Sequence, residues 1–385
     1  MKAYISAGGK GTRFLEITHD EIPKPMAPML GKPILEYAVD VMKKNGVDEI
    51  FFSVGHLHQK IEEYFGDGKK FGLKINYILE DTPLSSGGAL YYLKDKVDGD
   101  FIVANGDVIF DIDIKRMLDF HKGKGALITL LTQPTNHPHD CDLIILDKTT
   151  KRVLGFDKKN QPRAYDYFNQ ANLGFFIINK EALKYFKELK PVGMEHDFIN
   201  FYIQNTDKVF GYESSEYIQD VGTPERYTAA LKDIESKVVN KRCLTNPQKA
   251  VFLSAEVLTN KDIKNIAIGD KFTDNIINCF KQLRSAGFLI IATDDKDARE
   301  SQELEAIYKN FSKRLGESGV FFDDYFYYDT LEKNIKLACE KYSIEPKTSH
   351  FLARCKNINL NITTHVVSNE HGTSDIIQKI IKKSN

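Results

Sequence analysis

Two periods alternate along the chain. Short β-rich runs, KAYISA (2–7), EIFFSVG (49–55), KINYILE (74–80) and FIVANGD (101–107), are separated by helical spacing in PILEYAVDVMKKNG (33–46), in HQKIEEYFG (58–66) and after Gly88. Strands that alternate with helices predict a parallel sheet flanked by helices. Between 125 and 179 the pattern changes to strands joined by turns (ALITLLTQ, CDLIILD, RVLGFD, NLGFFIIN), which predicts an antiparallel or mixed insertion. Helices return over 180–204, and a last pair of strands precedes a helix beginning near Thr223. The stretch 236–248 is polar, ends in Asn246-Pro247 and reads as a linker. Beyond it a second alternating unit follows: KAVFLSA, a helix ending in LRSAG, FLIIATDD, a long polar helix, GVFFDDYFYY, a helix through LACEKYS, THVVS and a final helix.

Composition narrows the classes. The 385 residues suffice for two cores, and 42% hydrophobic with 28% charged residues is a soluble, globular balance. The 53 basic side chains nearly cancel the 54 acidic ones, so there is no footprint for nucleic acid or a membrane surface. The start runs from Met1-Lys2 into a short strand with no secretory signal, and no apolar stretch has the length to span a bilayer. Five widely spaced cysteines with no C-x-x-C pair read as reduced thiols, and the expected location is the cytoplasm. A homo-oligomer is left open.

Chemistry concentrates in the first half. Gly8-Gly9-Lys10-Gly11-Thr12-Arg13 directly follows the first strand. Glycines let backbone N–H groups approach a phosphate chain, while Lys10 and Arg13 offset its charge. The run matches neither G-x-G-x-x-G nor G-x-x-x-x-G-K-[ST], so the dinucleotide-binding and P-loop readings fail. In Ile22-Pro23-Lys24-Pro25-Met26 the flanking prolines fix the backbone of Lys24 and aim one cation. Asn105-Gly106-Asp107 closes an apolar strand, where an open α/β sheet presents ligands, and Asp107 there suits a magnesium ion. His137-Pro138-His139-Asp140-Cys141-Asp142 crowds metal-ligand residue types, but its proline and consecutive ligands suit a surface hairpin.

Strand, G-G-x-G-T-R, P-K-P-M and G-K-P (31–33) together resemble the sugar nucleotidyltransferase family, nearest to heptose 1-phosphate guanylyltransferases and their mannose 1-phosphate relatives. Glu80-Asp81-Thr82-Pro83-Leu84-Ser85-Ser86-Gly87-Gly88-Ala89 is similar to that family's nucleotide-binding stretch, and Asp220-Val221-Gly222-Thr223-Pro224-Glu225 to its D-I-G-T-P-E segment. The resemblance implies a Rossmann-like α/β domain over 1–235 and transfer of a nucleotide to a sugar 1-phosphate. It also implies nucleotide binding by Ala7, Gly8, Gly9, Lys10, Gly11, Thr12, Glu80, Pro83, Gly87 and Gly88. Arg13, Lys24 and Asp107 would be catalytic, with Asp107 and Asp220 holding Mg²⁺. Phe156-Asp157-Lys158-Lys159, Asn172-Leu173-Gly174 and Glu195-His196-Asp197 match the sugar side, implying Lys159, Asn172, Gly174 and Glu195 as sugar-phosphate contacts. Lys158 and Cys141-Asp142 depart from the family pattern there, which points to an altered sugar pocket. Glu80 could accept both N1–H and N2–H of guanine, which favours GTP over CTP, UTP or dTTP.

The segment 249–258 resembles the opening of haloacid dehalogenase-like phosphatases, especially heptose bisphosphate phosphatases. Ser254 stands where the nucleophilic aspartate belongs and Glu256 at the acid/base aspartate, so the second domain, 249–385, is expected to be a catalytically inactive HAD-like unit. The resemblance implies GTP and D-glycero-D-manno-heptose 1-phosphate as substrates, for surface polysaccharide synthesis; the competing readings are a nucleotidyltransferase using CTP, UTP or dTTP with another sugar phosphate or a small phosphorylated metabolite, a bifunctional nucleotidyltransferase with a working phosphatase, and a non-enzymatic binding protein.

Overall fold

The computed structural model describes residues 1–384 except 10, 160, 274, 355–360 and 368–369. They form two compact units, the first made of Met1–Thr132, Ile144–Asp157 and Asn172–Cys243, the second of Gln133–Leu143, Lys158–Ala171 and Leu244–Asn385. Two segments inside the first 235 residues therefore pack with the C-terminal unit, which the chain order alone does not reveal. The stretch 236–248 differs from an open linker. Val238–Lys241 is a helical turn, and Val239, Cys243 and Leu244 are buried, because these apolar residues recur at helical spacing within a polar context.

In the first unit Lys2–Ser6 lies in the middle of a nine-stranded mixed sheet. It pairs in parallel with Glu49–Val54 on one side and Asp100–Asn105 on the other, and Lys74–Leu79 extends the parallel edge. Ala171–Asn179 runs antiparallel to Asp100–Asn105 and begins the mixed half expected from the sequence. Ala3 and Ile5 enter the core on one face while Tyr4 enters that on the other, as a strand covered on both sides requires. Helix Ile34–Lys44 buries Ile34, Leu35, Ala38, Val39, Val41 and Met42, with Lys43 and Lys44 closing its last turn in favour of the helix dipole.

Some expected helices take tighter or wider forms. Gly88–Leu93 is a 3₁₀ stretch, and a π-helical turn, Met194–Ile199, runs into the helix Asn200–Asn205. A Cβ at Gly88 would stand 2.6 Å from the Lys190 carbonyl oxygen, so close packing against 190–192 shapes that turn.

The second unit is an α/β layer with a five-stranded, all-parallel sheet. Its order is Asp324–Phe326, Phe288–Thr293, Lys249–Leu253, His350–Ala353, Thr363–Val366, so the first strand is central, as in doubly wound sheets. The strand His350–Ala353 is absent from the sequence expectation, since four residues of weak pattern do not announce a strand. Among the described residues no helix is long and apolar enough to cross a membrane.

Candidate active site

At the carboxyl ends of the central parallel strands the first unit opens a cleft of about 900 Å³, lined among others by Gly8, Gly9, Gly11, Arg13, Lys24, Glu80, Pro83, Asn105 and Asp107. The loop after Lys2–Ser6 forms one wall. Ala7 donates its N–H to the Ser53 carbonyl (2.8 Å), which hands the chain from the sheet to the glycines. A Cβ at Gly8 would come within 3.3 Å of the Glu80 carboxylate. Gly11 is required twice over: its φ is +60°, and a Cβ there would sit 2.9 Å from the Cβ of Lys24. Lys10 lies outside the described residues. Thr12–Phe14 forms a 3₁₀ turn that presents Arg13 to the cleft.

Lys24 begins the 3₁₀ turn Lys24–Met26, capped by the extended Pro23 at φ −68°; the extended backbone that the flanking prolines predict for the lysine is found at Pro23 instead. Its ammonium is nearly buried, lies over the Phe14 ring at 5.6 Å and donates to Asp107 Oδ2 at 2.5 Å. Asp107 occupies the turn between Asp100–Asn105 and Val108–Asp111.

Asp220 is brought to the same place by strand pairing. Tyr217–Asp220 runs antiparallel to Val108–Asp111 with Asp220 opposite Val108, and the Val221 N–H donates to the Asp107 carbonyl at 3.0 Å. Asp220 Oδ1 accepts from Arg226 Nη1 at 2.8 Å and from the Gly222 N–H at 3.1 Å. A Cβ at Gly222 would lie 2.8 Å from Asp220 Oδ1, 3.7 Å from Lys24 Nζ and 3.9 Å from Arg226 Nη1, so all three groups surround one point. Thus Asp107 and Asp220, 113 residues apart, share a neighbourhood in which each carboxylate faces a cation. Both are partly exposed, 34% and 40% of their side-chain surface, which leaves room for a hydrated ion. Two carboxylates open to water fit Mg²⁺, which keeps several waters and completes its shell with substrate phosphate.

The opposite wall differs from expectation. Glu80 accepts from the Ser53 hydroxyl and, at 2.9 Å, from the Leu84 N–H, so both oxygens hold the 80–84 turn instead of standing free for a base edge. Gly87 and Gly88, expected to touch the nucleotide, are buried: a Cβ at Gly87 would be 3.3 Å from the Val192 carbonyl, and the Gly87 N–H donates to that oxygen at 2.8 Å. Their lack of side chains serves backbone packing beneath the turn.

On the sugar side Asn172, Gly174 and Glu195 assemble. Asn172 donates to Glu195 Oε1 at 2.9 Å and accepts from the Gly174 N–H at 3.2 Å. Gly174 has φ +70°, and a Cβ there would be only 2.2 Å from the Asn105 side-chain nitrogen, which joins this group to the cleft wall. Lys159 is not in this assembly. It belongs to a segment of the second unit, where it is exposed and its N–H donates to Asp142 Oδ1 at 3.0 Å. Sequence reasoning missed Asn105, Arg226, His56 and His58. Asn105 was visible in Asn105-Gly106-Asp107, whereas Arg226 reads as an ordinary first-turn helix residue. The histidine-rich turn at 137–142 adopts a 3₁₀ turn at Pro138–Asp140, and among the described residues no group of three or more His, Cys, Asp or Glu side chains is placed to hold a metal ion.

The second unit has a small cavity of about 30 Å³ beside Ser254, Glu256, Thr293 and Asp294. The Ser254 and Thr293 hydroxyls are buried there without hydrogen-bond partners, while Asp294 accepts from the Ala255 N–H and the Tyr308 hydroxyl.

Comparison with known proteins matches the cleft-bearing unit. The D-glycero-alpha-D-manno-heptose 1-phosphate guanylyltransferase of Aneurinibacillus thermoaerophilus is 31% identical over 239 residues, covering 61% of this chain and 99% of that one. The UTP–glucose-1-phosphate uridylyltransferase of Synechocystis is 31% identical over 62% of this chain, which spans 64% of that protein's length. The structure of HddC from Yersinia pseudotuberculosis complexed with GMP-PN superposes with a TM-score of 0.52 at 25% identity, over 60% of this chain and 99% of that one. Residues 2–237 match the family described as Nucleotidyl transferase, and since that match spans more than half of its length, the chain belongs to this family and is a nucleotidyltransferase enzyme.

Proposed function

We propose that the enzyme joins a nucleoside triphosphate to a sugar 1-phosphate, yielding a nucleotide sugar and pyrophosphate, with GTP and D-glycero-D-manno-heptose 1-phosphate as the pair. The observation that carries the reading is the convergence of Asp107 and Asp220 beside Lys24 at the mouth of a glycine-lined cleft. An oxygen of the sugar 1-phosphate attacks the α-phosphorus, and the bond to the pyrophosphate oxygen breaks in line. The attacking oxygen is already anionic, so no strong base is required and rate comes from positioning and charge neutralisation. The loop at Gly8, Gly9 and Gly11 lets the triphosphate approach the backbone, Arg13 offsets charge on the departing pyrophosphate, and Lys24 stands beside the α-phosphate. Asp107 and Asp220 would hold Mg²⁺, which supplies Lewis-acid stabilisation of the phosphoryl oxygens when bound. Asn172 and Glu195 orient the sugar.

Support for GTP comes from the guanylyltransferase relative and the GMP-PN-bound neighbour, not from Glu80, whose two carboxylate oxygens already accept from Ser53 and the Leu84 N–H. The uridylyltransferase relative keeps UTP as the alternative. We further assign the C-terminal unit as an inactive HAD-like domain: Ser254 offers no carboxylate nucleophile, and the neighbouring Asp294 is already engaged as an acceptor. A screen of four nucleoside triphosphates against sugar 1-phosphates, read by pyrophosphate release, tests the reading. GTP with the heptose substrate is expected to turn over best, while turnover with UTP or CTP but not GTP rejects the base assignment. The same preparation is expected to release no phosphate from a sugar bisphosphate.

A further inference from the structure

Helix Pro224–Glu235 of the first unit starts beside the two cleft carboxylates, and its third residue is a cation, Arg226. The positive end of a helix dipole disfavours a cation in the first turn, where an acid such as Glu225 is suited. Arg226 is nonetheless held there. Its N–H donates to the Thr223 hydroxyl at 3.4 Å, and its guanidinium turns back along the chain to donate to Asp220 Oδ1 at 2.8 Å. The side chain is only 20% exposed. The Gly222 N–H donates to the same carboxylate oxygen at 3.1 Å, so Asp220 is anchored twice, once by backbone and once by a charge. Gly222 lines the cleft, and its missing side chain is what lets Asp220 Oδ1, Lys24 Nζ and Arg226 Nη1 gather about one point. Lys24 makes the matching contact to Asp107. The chain's own groups therefore pair each carboxylate with a cation, and the four charges cancel.

We propose that Arg226 is a resident counter-ion of the metal site, which holds down the affinity of Asp107 and Asp220 for a divalent cation until the triphosphate brings negative charge of its own. The proposal rests on the functional reading above, in which those two carboxylates hold Mg²⁺. A dication added alone to this neutral cluster would leave two positive charges without compensation, beside two neighbours of like sign in a partly desolvated pocket. The phosphates of the triphosphate restore the balance. Without Arg226 the cluster is left with a net negative charge and takes the bare cation readily. Asp220 keeps its orientation in that case, because the Gly222 N–H still holds Oδ1. Arg226 thus governs when the site fills and leaves its geometry to the backbone. A guanidinium suits the task, since it stays charged at any pH the enzyme meets.

The test titrates the full chain with Mn²⁺ alone and follows the electron paramagnetic resonance signal of the free ion. Arg226→Gln is expected to bind Mn²⁺ about tenfold more tightly than the wild type, and Arg226→Lys, which keeps the charge, to bind it as the wild type does. Adding Asp220→Asn to Arg226→Gln is expected to abolish the gain, which locates it at this site. Should Arg226→Gln fold poorly, Arg226→Met retains the apolar stem and is read in the same way. Three results overturn the proposal: affinity in Arg226→Gln equal to or below that of the wild type, a Lys variant that behaves like the Gln variant, or a gain that survives the loss of Asp220. Wild-type Mn²⁺ binding left unchanged by Asp220→Asn alone would instead remove the metal assignment on which the functional reading stands. The titration uses no substrate, so its outcome is independent of which base or sugar the enzyme takes.

Discussion

Asp107 faces Lys24 through a 2.5 Å contact, and it is the carboxylate most directly tied to that cleft cation. Replacing it by Asn keeps the shape and removes the charge. Turnover of Asp107→Asn is expected to fall about 100-fold or more, while KM for the triphosphate shifts only a few-fold, as pyrophosphate-release kinetics would report. Near-normal turnover would mean that the metal-binding role belongs elsewhere. At this scale the sequence was informative where a residue's neighbours along the chain determine its role. Prolines singled out Lys24 and a strand end singled out Asp107, and both line the cleft. It was uninformative where the partner is remote. Nothing around Glu80 shows that Ser53, 27 positions earlier, will claim one carboxylate oxygen, and nothing around Arg226 shows that its guanidinium will turn back to Asp220.

Among elements, the loop 7–13 depends on one left-handed residue. Gly11→Ala adds a Cβ at φ +60° and drives it against Lys24, so the strain of about 1–2 kcal/mol adds to a displacement of the lysine. This variant is expected to melt a few degrees lower and to raise KM for the triphosphate more than that for the acceptor, measurable by thermal scans and initial rates. An unchanged KM for the triphosphate would separate the loop from nucleotide binding. The parallel strands and amphipathic helices of the first unit were legible because their periods are unbroken over five or more residues. The short strand His350–Ala353, the 3₁₀ turn Gly88–Leu93 and the π turn at Met194–Ile199 were not, since cross-chain packing decides them and local spacing does not.

For the molecule as a whole, acid is the condition to which a half-buried histidine pair responds. His350 hydrogen-bonds His365 at 3.0 Å across two adjacent strands of the second sheet. Burial, then His365, Lys383 and Lys249, push its pKa down from 6.5 to about 4. The folded state therefore keeps this ring neutral while the unfolded chain would protonate it. Its contribution to stability is complete above about pH 6.5 and is lost progressively as pH falls towards 4. Melting temperature is expected to drop over that window, and His350→Gln to flatten the drop by about 3 °C; a wild-type profile level from pH 7 to 4.5 would contradict this. Two compact units were foreseeable from length and patterning, but their true membership was not, because hydrophobic period says which residues are buried and not which core receives them.

The backbone moves from one unit to the other five times. A gene ending after Cys243 would thus not encode a trimmed enzyme. It would encode one with two dangling stretches, with Asn169 and Gln170 stripped of the surroundings that bury them. Such threading bars the shuffling by which tail modules are usually gained and shed. The two halves must be inherited, and drift, as one piece.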